Sequence, residues 1–451
     1  MSVKVAFVSL GCDKNLVDSE VMLGICQKRG FTVIQEEEMA DVIVVNTCCF
    51  IRDALEESIQ AIIEMGKMKA NGNCKALIVC GCLAQRYEKE IFNEMPEVDA
   101  VLGTSSYEKI AEAIKSVLAG KKQVKNIGIP KGAMENEDNS ISRIVSTAGH
   151  FAYLKIAEGC DNRCTYCIIP YLRGKYRSRH MESLVKEATV LAEKGVKELI
   201  LVAQDTAIYG CDLYGKSMLH ELLKKLAAID GIEWIRILYG YPENITDETI
   251  KEMAEEKKIV KYLDMPIQHG CDSVLKRMGR RSTANLIREK VQKLRTAMPD
   301  ITLRTTVITG FPQETDEEFS ELVSFVKEMK FDRLGAFTYS CEEGTPAAKM
   351  SGQIDEDIKT ERKNIIMDVQ KNISAQKCET FVGRKLIVMV EGRLPEENIY
   401  CARSYRDAPD IDGLVFVSSD EELLTGDFVR VNITKAGDYD LYGTAECRFD
   451  L

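Results

Sequence analysis

The sequence predicts an α/β protein in three consecutive parts. These are a small parallel α/β N-terminal domain, an open (β/α)6 barrel and a C-terminal OB-like β-barrel. Three observations carry this. Apolar strand-like runs alternate with helical patterns from Val3 to Ala119. The alternation restarts at Phe151 and runs through six strand–helix units. Beyond Phe381 the texture changes to short β runs set off by glycine turns. Strands alternating with helices pack as parallel sheets covered by helices. A length of 451 residues fits about three domains. The boundaries expected are 1–120, a linker at 121–149, 150–378 and 379–451.

In the first part, Val3 to Leu10 alternates and ends at Gly11-Cys12, a strand followed by a tight turn. Leu16 to Gly30 reads as a helix, with Asp18 as a possible N-terminal cap and Gly30 as a stop. Asp41 to Asn46 is a buried-strand run ending at Thr47-Cys48-Cys49, followed by a helix from Asp53 to Lys69. Ala76 to Cys80 is the next strand, ending at Gly81-Cys82, and Val98 to Leu102 is the fourth, before a helix over 106–119. Cys12, Cys48 and Cys82 thus share one placement, just past the C-terminal end of a strand. Open α/β sheets bind ligands at that edge. Cys26, Cys74 and Cys80 fall within elements or a connector and read as structural, since free cysteine often acts as a small buried hydrophobe. Residues 121–149 contain Gly128, Pro130, Gly132 and an acidic-polar patch, Glu135 to Asn139, and read as a linker.

In the second part, strands are expected at 151–156, 198–203, 235–239, 262–265, 302–308 and 333–338. Helices are expected at 182–194, 217–228, 245–257, 282–297 and 316–330. Active sites of such barrels lie at the C-terminal ends of the strands. Gln204-Asp205-Thr206, Gln268-His269 and Gly310-Phe311-Pro312 gather there. So does the segment Cys160-Asp161-Asn162-Arg163-Cys164-Thr165-Tyr166-Cys167, which follows the first strand and a Glu158-Gly159 turn. Its three cysteines can converge on one metal centre, and thiolates suit iron–sulfur clusters and zinc. No fourth cysteine or histidine follows closely; His180, the nearest candidate, lies beyond a basic stretch. A structural zinc site wants four closed ligands. Three thiolates on a 4Fe-4S cluster leave one iron open to a small molecule.

Ile354 to Cys378 reads as a long polar helix. The last part has β runs at 385–390, 414–417 and 428–433, a small OB-like barrel. From Glu379 to Leu451 there are eight Lys and Arg against fifteen Asp and Glu, 8 − 15 = −7.

The whole chain carries a net charge of −11, which argues against broad nonspecific nucleic-acid binding and for basic partners. The first ten residues lack the apolar segment of a secretory signal, and no run is long enough for a transmembrane span. A cytoplasmic location is expected. Sixteen cysteines in a reducing compartment read as metal or catalytic sites rather than disulfides.

The Cys160–Cys167 loop, C-x3-C-x2-C with an aromatic before the third cysteine, resembles the signature of radical S-adenosylmethionine (SAM) enzymes. The chain as a whole resembles the radical SAM methylthiotransferases. Ser9 to Glu20 is similar to the opening motif of the RimO-type branch, which modifies a ribosomal protein; the MiaB-type tRNA branch tends to have Gln-Met-Asn after that cysteine. Asn46-Thr47-Cys48 and Gly81-Cys82-Leu83 resemble the second and third cysteine motifs, and Tyr153 to Pro170 the barrel entrance. Asp407 to Gly413 and Asp438 to Gly443 look like segments of a RimO-type terminal TRAM domain. Cys49 and Gln313 stand where the family usually has glycine.

The resemblance implies two 4Fe-4S clusters and SAM as cofactors. Cys160, Cys164 and Cys167 would hold the cluster whose open iron binds SAM. Cys12, Cys48 and Cys82 would hold the sulfur-bearing one. No catalytic side chain is assigned beyond these ligands. The activity implied is methylthiolation of the β-carbon of an aspartate in small-subunit ribosomal protein S-twelve. One SAM would supply a methyl group, and another a 5′-deoxyadenosyl radical that abstracts hydrogen from the unactivated carbon. The expected partners are that basic protein and an electron donor, with no membrane and no direct nucleic-acid requirement. The acidic terminal domain fits this, because a domain gripping RNA needs basic charge and complementary potentials favour encounter with a basic protein. The alternatives are a tRNA adenosine methylthiotransferase of the MiaB type and a non-catalytic iron–sulfur carrier.

Overall fold

In the computed structural model, residues 2–128, 142–395 and 398–448 are described. Pro130, Gly132 and the acidic patch at 135–139 lie outside them.

The N-terminal sheet contains β1 (Lys4–Ser9), β2 (Thr32–Val33), β3 (Val42–Thr47), β4 (Ala76–Gly81), β5 (Ala100–Leu102) and β6 (Val124–Asn126). Their spatial order is β2-β1-β3-β4-β5-β6, and every pairing is parallel. β3 and β4 are buried along their whole length, as central strands covered on both faces are. The stretch expected to be linker therefore begins with an edge strand, β6, too short and polar to stand out by pattern. Asp18 does not cap the first helix. That helix, α1, runs from Asp13 to Lys28 with Cys12 at its N-cap, and Asp18 is buried within it.

A two-residue antiparallel ladder, β8 (Ala157–Glu158) with β9 (Arg177–Ser178), follows β7 (Phe151–Lys155). The barrel sheet consists of β7, β10 (Glu198–Val202), β11 (Trp234–Ile237), β12 (Ile259–Asp264), β13 (Thr302–Thr309) and β14 (Arg333–Thr338). These six lie side by side in sequence order, all parallel, in a sheet that stays open. One face packs Leu154, Leu199, Leu201, Ile237 and Leu303 against the covering helices. The opposite face carries Ile200, Trp234, Val260 and Tyr262, and the terminal domain covers it with Met389, Ala408 and Phe428.

The terminal domain is a closed five-stranded barrel in the order β15-β16-β17-β19-β18. Its strands are β15 (Lys385–Arg393), β16 (Ile399–Ser404), β17 (Val415–Ser418), β18 (Phe428–Ala436) and β19 (Leu441–Arg448). Several of its acidic groups clasp the central sheet. Asp407 pairs with Arg333, Asp412 accepts from the Tyr262 hydroxyl at 2.6 Å, and Arg304 lies 3.6 Å from Asp412. Glu198 of β10 binds Arg236 and, across the boundary, Arg403 at 2.8 Å. The acidic excess is therefore partly internal. The carboxylates left exposed include Asp410, Asp420, Glu421 and Glu422. Among the described residues no helix is long and apolar enough to cross a membrane.

Candidate functional site

The three N-terminal cysteines meet at the C-terminal edge of their sheet. Cys12 follows β1, Cys48 follows β3, and Cys82 opens the helix after β4. Gly11 makes the approach possible. Its φ is +88°, and a Cβ there would fall 2.5 Å from the Cys48 Cβ and 3.0 Å from its sulfur. Cys12, Cys48 and Cys82 lie within electrostatic range of one another. Burial pushes the Cys48 and Cys82 thiols above their ordinary range, because an unpaired thiolate is poorly solvated there.

The Cys160–Cys167 loop is held from both sides. The Cys160 N–H donates to the Gly174 carbonyl at 3.1 Å, and the Thr165 N–H to the Met278 carbonyl at 2.9 Å. Gly159, φ +81°, passes so close to the Lys175 carbonyl that a Cβ would lie 2.1 Å from it. Cys160 and Cys164 are buried, and burial pushes the Cys160 thiol up to about 12. Burial followed by Cys164 and Cys160 raises Cys167 as well, with Arg280 opposing.

The donor sets fit iron–sulfur clusters. Among the described residues, no three His, Cys, Asp or Glu side chains are gathered tightly enough to enclose a single metal ion. The cysteines of each triad share one neighbourhood, and three thiolates suit a cluster, whose ligands bind different irons. Positive charge is also waiting. Arg280 stacks 4.0 Å from the Tyr241 ring centroid. Its Nη2 donates to the Pro266 carbonyl, but Nε and Nη1 are buried without a partner among the described residues. Cys164 and Tyr166 are its electrostatic neighbours.

The other rim groups position the loops. The Asp205 carboxylate accepts from Asn244 at 2.7 Å, from the Ala207 N–H at 3.1 Å and from Asn162 of the cysteine loop at 3.4 Å. Burial pushes it up to about 6 against these hydrogen bonds. Gln204 donates to Glu158, and Thr206 to the Leu238 carbonyl. His269 is fully buried; its Nδ1 accepts from the Cys271 N–H, and its Nε2 lies 3.5 Å from Glu314. Glu314 in turn accepts from the Gly310 and Phe311 amides. Gln313 takes φ +65°, a left-handed backbone that explains glycine at this position, and is held by its N–H to the Gly352 carbonyl at 2.8 Å. His180 is exposed at the N-cap of the helix Met181–Glu193. Cys49 is fully buried in the N-terminal core.

Sequence reasoning missed the junction between the two triads. Arg173, from the short helix Ile169–Arg173, bonds Glu158 at 2.9 Å and lies 3.4 Å from Asp18. It also bonds Asn15 of α1 and reaches 3.7 Å from Cys82 Sγ. Lys155 completes the buried network by pairing with Asp18 and with Glu158, the latter at 2.9 Å. Burial raises the Asp18 carboxyl, whereas Glu158, equally buried, is held below the carboxylate range by Arg173 and Lys155. The segment after β11 reaches both sides of the junction. The Tyr241 hydroxyl lies 3.7 Å from Cys164 Sγ, and the Tyr239 hydroxyl lies 3.5 Å from Asp13, next to Cys12. The signal for Arg173 was the basic stretch ahead of His180; nothing local marked the tyrosines.

Comparison with known proteins agrees with this architecture. Residues 4–103 match the uncharacterized protein family UPF0004, residues 154–326 the radical SAM superfamily and residues 382–445 the TRAM domain. The chain is 56% identical over 445 residues to a protein of Lachnoclostridium phytofermentans named ribosomal protein uS12 methylthiotransferase RimO, spanning 98% of this chain and 100% of that one. Proteins of the same name from Acetivibrio thermocellus and Clostridioides difficile are 52% and 50% identical, each over 98% of both chains. Among solved structures, the radical SAM methyltransferase TsrM from Kitasatospora setae, with cobalamin and a [4Fe-4S] cluster bound, superposes with a TM-score of 0.57. It is 14% identical, with 89% of this chain and 81% of that one covered, a likeness of fold. Fold and site together define a radical SAM enzyme, with SAM and 4Fe-4S clusters as cofactors. The chain belongs to the RimO-type ribosomal protein methylthiotransferases.

Proposed function

We propose that this enzyme replaces one hydrogen on the β-carbon of an aspartate in ribosomal protein uS12 with a methylthio group. The observation that carries the reading is the meeting of two cysteine triads from separate units at one junction, with Tyr239 and Tyr241 in contact with both sides. Identity of 56% to a protein named for uS12 supports the choice of substrate. When bound, the clusters and SAM supply reductive SAM cleavage and a transferable sulfur, chemistry that side chains lack. Cys160, Cys164 and Cys167 are assigned to the SAM-binding cluster, and Cys12, Cys48 and Cys82 to the sulfur-bearing one. Arg173 and Arg280 place positive charge beside Cys82 and Cys164. We divide the chain at 1–120, 150–378 and 379–451, with the strand at Val124–Asn126 added to the first unit.

The exposed carboxylates of the terminal domain suit a basic protein partner and disfavour RNA, which separates this reading from the tRNA one. The reaction needs an external electron donor, and no direct nucleic-acid requirement is assigned. The test is anaerobic reconstitution with iron and sulfide, followed by incubation with SAM, dithionite and purified uS12. Mass spectrometry should find one methylthio group on an aspartate of uS12. Modified tRNA with unmodified uS12 would support the MiaB-type alternative. SAM left uncleaved under strong reductant would support the carrier.

A further inference from the structure

A substrate carboxylate brought to this junction has to leave water, and an unpaired buried charge is costly. Its β-carbon is one bond from the carboxyl group, so a cation has to stand close to the reacting carbon. Most cations of the junction are already engaged. Arg173 is held by Glu158, Asn15 and Asp18. Lys155 is held by Asp18 and Glu158, and Arg304 by Asp264 at 2.9 Å. Arg280 keeps Nε and Nη1 without a partner among the described residues, but it lies on the barrel side, beside Tyr166, Tyr241 and Cys164.

Lys14 is different. It stands two residues after Cys12, in the first turn of α1. Its side chain is 9% exposed. The ammonium sits 3.3 Å from the centroid of the Tyr239 ring and 2.9 Å from Asp13. An ammonium has three N–H donors, and Asp13 is its one carboxylate partner among the described residues. The aromatic face attracts the charge without occupying a hydrogen-bond direction. The Tyr239 backbone has φ +59°, a conformation that a bulky residue adopts rarely and that aims this ring at Lys14 while Tyr241 meets Cys164. The group is thus a cation held in place from two sides, with donors to spare, beside the sulfur-bearing triad.

We infer that Lys14 binds the side-chain carboxylate of the substrate aspartate and so makes the enzyme select an acidic residue, with Asp13 and Tyr239 fixing its position. This rests on the reading that the substrate is an aspartate of uS12. The chemistry needs no further reactant, because no bond forms or breaks at Lys14.

The experiment uses the reconstituted full-length enzyme and purified uS12 in two forms, natural and with the target aspartate replaced by asparagine. Equilibrium affinity is measured for wild type, Lys14→Met and Lys14→Arg, each with iron content determined. Wild type should prefer the aspartate form by on the order of 30-fold, the usual effect of truncating one partner of a buried charge pair. Lys14→Met should bind both forms alike, and Lys14→Arg should restore most of the preference. A Lys14→Met enzyme with full iron content and an undiminished preference for aspartate overturns the proposal. So does loss of the preference in Lys14→Arg as complete as in Lys14→Met, since that marks a packing role. Failure of wild type to modify natural uS12 would instead overturn the functional reading itself.

Discussion

The guanidinium of Arg173 crosses from the barrel to within 3.7 Å of Cys82 Sγ in the N-terminal unit. One side chain thus links the two units, and its other contacts, Asn15, Asp18 and Glu158, come from both of them. Replacing Arg173 with Met leaves Asp18 and Glu158 with Lys155 as their remaining cationic partner in this buried network. Breaking such a pair typically costs about 3–5 kcal/mol. The variant should unfold at lower denaturant and shift the reduction potential of the N-terminal cluster, because a charged donor to the sulfur of Cys82, its proposed ligand, is lost. Redox titration followed by electron paramagnetic resonance checks this. An unchanged potential and an unchanged unfolding midpoint would count against the link.

Asp205 predicts a pH dependence. Its carboxyl is raised from 3.8 to about 6 in the folded protein, first by burial. The folded state then binds more protons than the unfolded one between those values, so this contribution to stability is fully present below 3.8 and is lost as pH rises through about 6. The loss amounts to about 3 kcal/mol. Asp205→Asn removes the titration. Urea unfolding of cluster-free protein at several pH values should show wild type falling relative to the variant across that window, and parallel curves would refute the assignment.

The terminal domain is predicted to steer uS12 through charges that do not hold the fold. Asp420, Glu421 and Glu422 are exposed, whereas Asp407 and Asp412 clasp the barrel. Neutralising the first three as amides should weaken uS12 binding severalfold at low salt, and the difference should shrink at higher salt as screening shortens to about 10 Å at 0.1 M. Removing everything after Thr380 is a cruder change. It uncovers Trp234, Val260 and Tyr262 and should make the remainder aggregate. Equal binding by the amide variant and wild type at all salt concentrations would exclude the steering role.

Cys49 separates ligand from neighbour. It is fully buried among apolar side chains, with Arg86 donating to its carbonyl oxygen at 3.4 Å. Cys49→Ala should keep both clusters and cost about 1 kcal/mol from the small cavity. Cys48→Ala should lose the N-terminal cluster. Iron analysis of the two variants reads the difference, and the reverse result would move the ligand by one residue.

The barrel strands were legible within a few residues because each is a short apolar run followed by an amphipathic helix. The edge strands Thr32–Val33 and Val124–Asn126 were not, being two and three residues long. Ile399–Ser404 was hidden by Arg403, a buried cation whose partner Glu198 lies 205 residues away in sequence. Asp18 looked like a cap because a carboxylate early in a helix usually faces water or the backbone. Its burial depends on Lys155 and Arg173, which no local pattern announces. The places of the six cysteines, three past strand ends and three in one loop, could be read from spacing and motif. The contacts of Lys14, Arg173 and Tyr239 could not, since they arise where separate units meet, nor could those of Arg280, which come from distant barrel loops.

The two triads are proposed to hold different clusters with different tasks. The most direct measurement uses one variant, with Cys12, Cys48 and Cys82 all replaced by Ala, reconstituted anaerobically and given SAM, dithionite and uS12. The expected result is about four irons per chain instead of about eight, continued formation of 5′-deoxyadenosine, and no methylthio group on uS12. Methylthiolated uS12 from this variant, or loss of 5′-deoxyadenosine while the barrel cluster is intact, would contradict it.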